Sequence, residues 1–357
     1  MIRSGKFNDA KILLLDKEPK TKNDRTWCFW EKEKGFFEEV VYRKWDSISF
    51  LSTKYSSLMN IAPYQYKMVR GIDFYQYCFN EIAKHANIHV VYGDIKSWRY
   101  ENKEAVFNIN NQEFRLGDAQ VFNSIYIPGV ATKKTIRLLQ HFKGWVIETN
   151  EPSFNPKDAT MMDFRVHQQH GTTFAYVLPL NAKSALVEYT LFTKELLLPA
   201  QYDEELKDYI STYLGIDDYK IREEEFGIIP MTNSNFRFDG HGWQIGVAGG
   251  QTKASSGYTF QFIQKQSQQI VDYLIKGKSL ASLPGTARRF RFYDNTLLHL
   301  LYYERLPGRG IFTQLFQKNK PQEVLRFLDN ETSLIDELKI ICTLPTWPFL
   351  KAAIKQL

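Results

Sequence analysis

The fold of this chain is decided by one stretch of sequence, Ile245-Gly246-Val247-Ala248-Gly249-Gly250-Gln251-Thr252-Lys253-Ala254-Ser255-Ser256-Gly257-Tyr258-Thr259-Phe260. An apolar strand is predicted over residues 243–247, and the glycines after it have no Cβ, so another molecule can lie against the backbone. A helical pattern follows, with Ser255 or Ser256 as a suitable N-cap. Backbone N–H groups at such a helix start favour an anionic or electron-rich partner. The stretch therefore predicts either a nucleotide or flavin site or a β-to-α turn that binds nothing.

The overall composition is that of a globular chain without a nucleic-acid-binding pattern. Of its 357 residues 43% are hydrophobic, which is enough for two closely joined domains with a large core. The net charge is +6, but Lys and Arg are scattered among acids, with no Arg-rich arm and no zinc-finger spacing. We therefore do not expect nucleic acid as a partner, and we attribute the charge to a weak attraction to anionic lipid headgroups.

The cysteine pattern and the lengths of the apolar runs predict where the protein resides. The three cysteines are far apart and show no Cys-x-x-Cys spacing, so we expect them to be reduced and predict no metal site. No apolar run approaches the roughly 18 residues of a membrane-spanning helix. The sequence therefore predicts a cytoplasmic protein, or one that lies on a membrane without crossing it.

Residues 10–17 form an apolar run that ends in an acid, Asp16. This pattern is typical of the second strand of a Rossmann sheet, whose carboxylate holds an adenosine ribose. In that fold the acid follows a Gly-x-Gly-x-x-Gly turn by about 20 residues, and this sequence has no room for the turn. We expect the first strand and its glycine turn to be missing, either because the true start lies upstream or because the form is shortened. The alternative interpretation of Asp16 is a surface carboxylate at a strand end.

An aromatic cluster follows a polar loop over residues 23–30, where Arg25, Trp27 and Trp30 lie close together in sequence. Such side chains either stack on a planar ligand or fill a core. Residues 105–116 then predict a hairpin, and residues 119–124 predict a strand that returns to the nucleotide-binding part. This half of the chain is therefore expected to be α/β with an antiparallel attachment.

Long antiparallel strands are predicted from Gly144 onward, and residues 174–178 and 185–189 are expected to pair as a hairpin. Glu188 shares one strand face with Leu186 and Thr190. If that face is covered, burial raises the pKa of the carboxyl group and keeps it protonated, as a general acid requires. If the face is exposed to solvent, Glu188 is an ordinary surface carboxylate.

Asp163 poses the same question in the segment Met161-Met162-Asp163-Phe164-Arg165. A buried carboxylate at this position either pairs with Arg165 on the same strand face or works together with Glu188. Helices are predicted beyond residue 285, and the tail over residues 344–351 is either an interfacial segment or a helix that closes the core.

Several of these pieces, in this order and spacing, resemble the FAD-dependent lycopene β-cyclases of the bacterial type. The resemblance runs through nearly the whole chain, and no single piece is specific by itself. The matching segments are Asn23-Asp24-Arg25-Thr26-Trp27-Cys28-Phe29-Trp30, Met162-Asp163-Phe164, Phe174-Ala175-Tyr176-Val177-Leu178-Pro179-Leu180, Leu186-Val187-Glu188-Tyr189-Thr190, Gly227-Ile228-Ile229-Pro230-Met231, Gly246-Val247-Ala248-Gly249-Gly250 and Ser256-Gly257-Tyr258, with Arg326-Phe327-Leu328-Asp329 as a weaker match.

The resemblance implies a flavoprotein fold like that of the aromatic hydroxylases. It would combine a Rossmann-type FAD-binding domain, an antiparallel β substrate domain and a helical C-terminal part. The implied reaction converts the open ψ-ends of lycopene into β-rings without net redox change, with reduced FAD required and NAD(P)H as an external reductant. The implied division is residues 1–143 for the FAD-binding domain with its antiparallel attachment, 144–232 for the substrate sheet, 233–278 for the return to the FAD-binding domain and 279–357 for the helical region.

The resemblance also assigns roles to residues. Glu188 matches the acidic position of a Leu-Ile-Glu-Asp-Thr-type motif and is the expected catalytic acid and base, which Asp163 would assist or position. Tyr189 stands where many members have a second acid, and Lys253-Ala254 stand where many have His-Pro. The expected FAD-binding residues are Asp16, Arg25, Gly246, Gly249, Gly250, Gly257 and Tyr258, and the expected substrate-binding residues are Trp27, Trp30 and Tyr176.

The expected partners are lycopene or a related ψ-end carotenoid and, peripherally, a membrane surface. Two other functions remain open from the sequence. The first is another flavoprotein of the same fold, such as a monooxygenase, halogenase or prenyl reductase, which would need flavin redox turnover with NAD(P)H. The second is a truncated chain that binds a carotenoid without catalysis, a reading motivated by the absent glycine turn.

Overall fold

The computed structural model describes residues 1–128, 132, 134–234 and 242–356, and the structural statements below concern these residues. The strands in chain order are β1 (Ile12–Asp16), β2 (Thr26–Glu31), β3 (Arg43–Trp45), β4 (Ser47–Leu51), β5 (Ser56–Asn60), β6 (Gln65–Arg70), β7 (Ile88–Tyr92), β8 (Ile95–Glu101), β9 (Glu104–Ile109), β10 (Gln112–Leu116), β11 (Phe122–Asn123), β12 (Arg137–Glu148), β13 (Ala159–Asp163), β14 (Thr172–Pro179), β15 (Ser184–Thr193), β16 (Lys220–Thr232) and β17 (Trp243–Gln244). The α-helices are α1 (Gly71–Ile82), α2 (Pro199–Leu214), α3 (Phe260–Ile275), α4 (Arg288–Tyr302), α5 (Gly308–Lys318), α6 (Pro321–Leu328), α7 (Leu334–Cys342) and α8 (Thr346–Ile354).

The largest element is a seven-stranded sheet in the order β16-β12-β15-β14-β13-β4-β5. Its strands are antiparallel apart from the parallel pair β13 and β4. The predicted hairpin is confirmed, because Tyr176 lies opposite Glu188 and Leu178 lies opposite Leu186. Two strands that precede residue 143, β4 and β5, extend this sheet, and the predicted boundary between residues 143 and 144 falls within β12.

Both faces of the large sheet are covered, which explains why all eight residues of β14 are buried. On one face, Tyr202, Leu206 and Tyr209 of α2 pack on a core that contains Val187 and Tyr189 of β15. On the other face, phenylalanines of the sheet stack with those of α5; Phe50 and Phe316, for example, have ring centroids 4.8 Å apart. Alternate residues along β15 therefore point into two different cores.

The remaining strands form the α/β part of the molecule. β1 pairs in parallel with β7, and β11 pairs in parallel with β17, so that Phe122 lies opposite Trp243. The returning strand predicted over residues 119–124 is present as β11, and the predicted hairpin over residues 105–116 is β9 with β10. Two three-stranded sheets, β10-β9-β8 and β2-β6-β3, complete this part.

The glycine stretch differs from its prediction at both ends. The strand expected over residues 243–247 ends at Gln244 and continues as hydrogen-bonded turns, with Gly249 donating to the carbonyl of Ile245 over 3.1 Å. The following helix begins at Phe260 with Thr259 as its N-cap, so the predicted N-caps Ser255 and Ser256 are wrong. Their segment is a turn, and the hydroxyl of Ser255 donates to Asp294 over 2.7 Å.

The predicted C-terminal helices are confirmed as α4 to α7, and the tail forms α8. Ala352 of α8 is buried and the helix packs against α4, whereas Trp347 is 72% exposed. The tail thus covers part of the core and also presents an apolar surface. Among the described residues, every helix is too short or too polar to cross a membrane.

Candidate active site

A cavity of about 570 Å³ lies between the large sheet, β2, β6 and the start of α3. Its wall is mainly apolar and aromatic and carries a small number of polar groups, which is the usual composition of a small-molecule site. One of these polar groups is Glu188. The aromatic part of the wall consists of Trp27, Tyr66, Tyr126, Phe142, Tyr176, Phe226, Tyr258 and Phe260.

Glu188 is held on β15, between Leu186 and Thr190, on the face of the sheet opposite α2. Its Oε1 accepts a hydrogen bond of 2.6 Å from the hydroxyl of Thr190. Burial raises the pKa of Glu188 well above its ordinary value, and the neighbouring carboxyl of Glu225 raises it further. The hydrogen bond from Thr190 acts in the opposite direction but is the smaller effect. The raised pKa favours the neutral acid, the form that can donate a proton.

Glu225 is a site residue that the sequence analysis did not identify. It lies on β16, is 7% exposed, and its Oε2 accepts a hydrogen bond of 2.8 Å from the hydroxyl of Thr26. Burial raises its pKa, and the hydrogen bond from Thr26 lowers it. The sequence signal that could have identified Glu225 is its position directly before the apolar segment Phe226 to Met231.

Asp163 does not reach this cavity, which corrects the prediction that it assists Glu188. Its carboxylate is fully buried and accepts hydrogen bonds from Arg165, at 2.9 Å from Nε and 2.6 Å from Nη2, and from the hydroxyl of Tyr209 at 2.9 Å. Tyr209 belongs to α2, on the opposite face of the sheet from Glu188. The ion pair with Arg165, the alternative raised from the sequence, is the contact that the structure contains.

The three predicted substrate-binding aromatics occupy different positions. Trp27 lines the cavity and stacks on Phe260, with ring centroids 5.3 Å apart. Tyr176 also lines it and lies directly across from Glu188 on the neighbouring strand. Trp30 is only 3% exposed and packs edge-on against Tyr258 at 4.7 Å, so it supports the wall from the core side.

The predicted flavin-binding glycines are divided between two places. Gly257 and Tyr258 line the cavity that contains Glu188. Gly249 and Gly250 line a separate cavity of about 470 Å³. Gly249 is required by the turn itself, because a Cβ there would lie 2.4 Å from the carbonyl oxygen of Gln244. Gly246 has a φ of +61° and donates its N–H to the side chain of Gln266 over 3.1 Å.

Asp16 and Arg25 both lie toward the N-terminal side of the site. Asp16 ends β1 and accepts a hydrogen bond of 2.8 Å from Lys20. Arg25 lines the Glu188 cavity, where its Nη2 donates to Asp24 over 2.7 Å. Arg25 therefore places a guanidinium group in the cavity wall, and Asp16 places a carboxylate at the end of the parallel strands β1 and β7.

The start of α3 gives the cavity a polar edge. Thr259 makes no side-chain capping bond, and the first turn contains no acidic residue, so backbone N–H groups remain available there. Within the described part of the chain, Oε1 of Gln140 and the hydroxyl of Tyr258 are buried without a hydrogen-bond partner, and both residues line the cavity. Donors at a helix N-terminus beside flat aromatic walls fit a planar, electron-rich ring such as that of a flavin.

Solved structures of low sequence identity share this fold. A geranylgeranyl bacteriochlorophyll reductase-like protein from Thermoplasma acidophilum aligns with a TM-score of 0.55 and 12% identity, over 100% of this chain and 94% of its own. The flavin-dependent brominase Bmp2 aligns with a TM-score of 0.58 and 11% identity, over 98% and 94% of the two chains. A probable FAD-dependent monooxygenase from Pseudomonas aeruginosa, pqsL, gives 0.55 and 11%, over 88% and 94%. The fold is therefore that of the aromatic-hydroxylase-like flavoproteins.

The family is identified by the sequence as a whole. A search of curated proteins found no match. The pattern that defines the family described as lycopene cyclase protein, however, matches residues 4–354, which is nearly the entire chain. This match shows that the chain belongs to the lycopene cyclase family.

Proposed function

We propose that this protein is a lycopene β-cyclase that closes the open ψ-ends of a carotenoid into β-rings without net redox change. The observation that carries the proposal is the buried carboxyl of Glu188, whose pKa is raised by burial, in the wall of an aromatic cavity, in a chain of the lycopene cyclase family. An acid that stays neutral near pH 7 can protonate a carbon–carbon double bond, and its conjugate base can take a proton back.

The proposed reaction uses Glu188 twice. Its Oε1 is bonded to Thr190, so Oε2 is the oxygen that carries the transferable proton. Transfer of this proton to the terminal double bond forms a C–H bond and leaves a carbocation on the substrate. A neighbouring double bond attacks that cation and closes the ring. The ring cation then loses a proton to the Glu188 carboxylate, so atoms and charge are balanced and the acid is restored.

The cavity wall supports the cationic stages of this reaction. The faces of Trp27, Tyr176 and Tyr258 line the cavity, and aromatic faces attract a nearby positive charge. The apolar wall also excludes water, which would otherwise capture the cation. These residues therefore bind the polyene end and protect the carbocation until the ring has closed.

We infer that the cavity binds reduced FAD as well. Gly257, Tyr258 and the start of α3 would hold the ring system, while Arg25 and Asp16 would face the phosphate and adenosine part. When bound, the reduced cofactor would supply an electron-rich ring that stabilises nearby positive charge, with NAD(P)H as the external reductant. The support for this inference is the uncapped helix start and the aromatic wall.

We further infer that the protein docks on an anionic membrane surface, where an apolar polyene is dissolved. Helices α7 and α8 expose apolar side chains at helical spacing, which is typical of an interfacial surface. Exposed lysines on these helices and at the C-terminal end of α8 suit anionic headgroups. The apolar side chains are Leu334, Ile335, Leu338, Trp347, Leu350 and Ile354, between 46% and 72% exposed, and the lysines are Lys339, Lys351 and Lys355.

Replacing Trp347 and Leu350 together by serine is expected to weaken membrane binding by roughly tenfold or more, since two large apolar side chains no longer leave water. Sedimentation with vesicles of phosphatidylglycerol and phosphatidylcholine measures the bound fraction. The matched control replaces Leu58 and Phe114, which are 59% and 47% exposed on other elements, by serine. An equal loss in the control, or no binding by the native protein, contradicts this docking surface.

Expression in a host that accumulates lycopene, followed by pigment chromatography, tests the cyclase proposal. We expect β-ring carotenoids to replace lycopene under reducing conditions. Unchanged lycopene in the presence of folded, flavin-loaded protein would refute it. Consumption of NAD(P)H in proportion to product would instead indicate a monooxygenase, halogenase or prenyl reductase, because cyclisation requires no net hydride.

A further inference from the structure

The strand register places Glu188 and Glu225 in one row across the large sheet. Gly144 of β12 lies directly opposite Glu188 on one side and directly opposite Glu225 on the other. Residues that face each other across paired strands project to the same side of a sheet. The two glutamates therefore stand on the same face, two strand spacings or roughly 10 Å apart at the backbone, with a glycine between them.

The absence of a side chain at Gly144 lets the glutamates approach each other. A Cβ added there would lie 3.0 Å from Cγ of Glu225 and 3.4 Å from its Oε1, so the Glu225 side chain leans over the glycine. The same Cβ would lie 3.0 Å from Cδ1 of Leu186, on the Glu188 strand. Any larger residue at position 144 would separate the two carboxyl groups.

In each carboxyl group, one oxygen accepts a hydrogen bond from a threonine and the other oxygen does not. Thr190 donates to Oε1 of Glu188, and Thr26 donates to Oε2 of Glu225. Within the described residues, Oε1 of Glu225 is buried without a hydrogen-bond partner. A buried acceptor without a donor is costly, and a proton carried by the neighbouring carboxyl would satisfy it.

We propose that Glu225 is a positioning residue for the acid–base step: it shares the exchangeable proton of Glu188 across Gly144, so that the pair holds one proton and one negative charge. Glu225 keeps the proton on Glu188 until a substrate double bond accepts it. Both carboxylates then face the substrate cation, whose positive charge offsets their mutual repulsion. When the ring cation returns a proton to Glu188, the pair regains its starting state. This role rests on the proposed cyclase function, but the shared proton itself does not.

The surroundings favour retention of a proton by the pair. Two buried carboxylates at this separation cannot both ionise without a large electrostatic cost. Arg25 also lines the cavity, but its guanidinium donates to Asp24. Among the described residues, the other ionisable groups that act on the pair or line its cavity add negative charge when they lose a proton. They are Cys28, Tyr66, Tyr126, Tyr176 and Tyr258 around Glu188, and Asp24 and Glu223 near Glu225.

Glu225→Gln is expected to shift the alkaline limit of cyclase activity to lower pH by about one unit or more, because removing the neighbouring charge lowers the pKa of Glu188. Gly144→Ala, which should separate the carboxyls without removing either, is expected to shift it in the same direction. Glu224→Gln is the matched control, since this neighbouring glutamate is exposed and pairs with Lys143, and its pH profile should equal that of the native protein.

Infrared titration of the full-length protein without substrate tests the shared proton directly. The native protein should show the carbonyl stretch of a neutral carboxylic acid at pH 7 and above. Glu188→Gln should remove the component of that band that persists above pH 7, whereas the component of Asp329, whose pKa burial raises to about 7, should remain. Glu225→Gln should move the loss of the Glu188 component to lower pH. An unchanged titration in both Glu225→Gln and Gly144→Ala would overturn the proposal. If lycopene is not cyclised but the band behaves as expected, the carboxyl pair stands and the cyclase proposal fails.

Discussion

Glu188→Gln is expected to reduce cyclisation by at least about 10²-fold, the usual contribution of a general acid–base group, while the protein stays folded. Glutamine has the same shape and can still accept the hydrogen bond from Thr190, but it has no proton that a hydrocarbon could accept. Pigment chromatography of extracts from a lycopene-accumulating host measures the loss, and absorbance of the purified protein measures retained flavin.

Stability measurements separate the acid's chemistry from its packing. The pKa of Glu188 is raised in the folded state, so above about pH 4.5 the unfolded chain releases a proton that the folded chain retains. This contribution makes the native protein less stable as the pH rises further. Glu188→Gln lacks it, so the variant should gain stability relative to the native protein as the pH rises.

The control for this substitution is Glu148→Gln, in the same sheet but at its surface, where the carboxylate pairs with Arg222. It should retain activity and should not gain stability with rising pH. Full cyclase activity in Glu188→Gln would remove Glu188 from its assigned role. Equal losses in both variants would indicate damage to the sheet instead of loss of the acid.

Gly257→Ala is expected to lower the free energy of unfolding by roughly 3 kcal/mol, through backbone strain and overpacking, and to abolish flavin retention. Gly257 has a φ of +72°, and a Cβ there would lie 1.6 Å from Oε1 of Gln140. Gln140 is itself buried, so it can move only by disturbing the cavity wall. Thermal unfolding and the flavin absorbance of the purified protein measure the two effects.

Gly277→Ala provides a matched control, because Gly277 also has a positive φ, +61°, but a Cβ there would meet nothing within 4 Å. Gly277→Ala should lower the free energy of unfolding only through the strain of a positive φ, by about 1–2 kcal/mol. The variant should retain flavin. Combining Gly257→Ala with Gln140→Ala removes the overlapping carbonyl and should restore part of the stability. Normal flavin retention by Gly257→Ala alone contradicts the assignment of this turn to the cofactor.

The fold was predictable where the signal is local. Alternation along β14 and β15 predicted their pairing, and it placed Glu188 on one strand face with Leu186 and Thr190. Whether that face was covered depended on β2, β6 and the start of α3, which are distant in sequence. Local spacing carries no information about these packing partners, so the burial of Glu188 could not be predicted from the sequence.

The failures have similar physical causes. Asp163 was predicted to assist Glu188, but the two acids lie on opposite faces of the sheet. The sequence near Asp163 does not indicate which face it occupies. Only the packing of α2 shows that Asp163 faces Tyr209. Glu225 was missed because its approach to Glu188 requires the register of three strands and a glycine in the middle one. Ser255 was predicted to cap the helix, but its hydroxyl donates a hydrogen bond to Asp294 on α4.

The attachment of Glu188 to an inner strand has a consequence for the identity of the product. β15 is hydrogen-bonded to β12 and β14 along its length, so the carboxyl has little freedom to change its position. In the proposed reaction, a newly closed ring cation carries removable hydrogens on more than one neighbouring carbon, and each choice places the ring double bond differently. A base fixed in this way reaches one of those hydrogens, so the stiffness of the sheet should determine which double-bond isomer the enzyme releases.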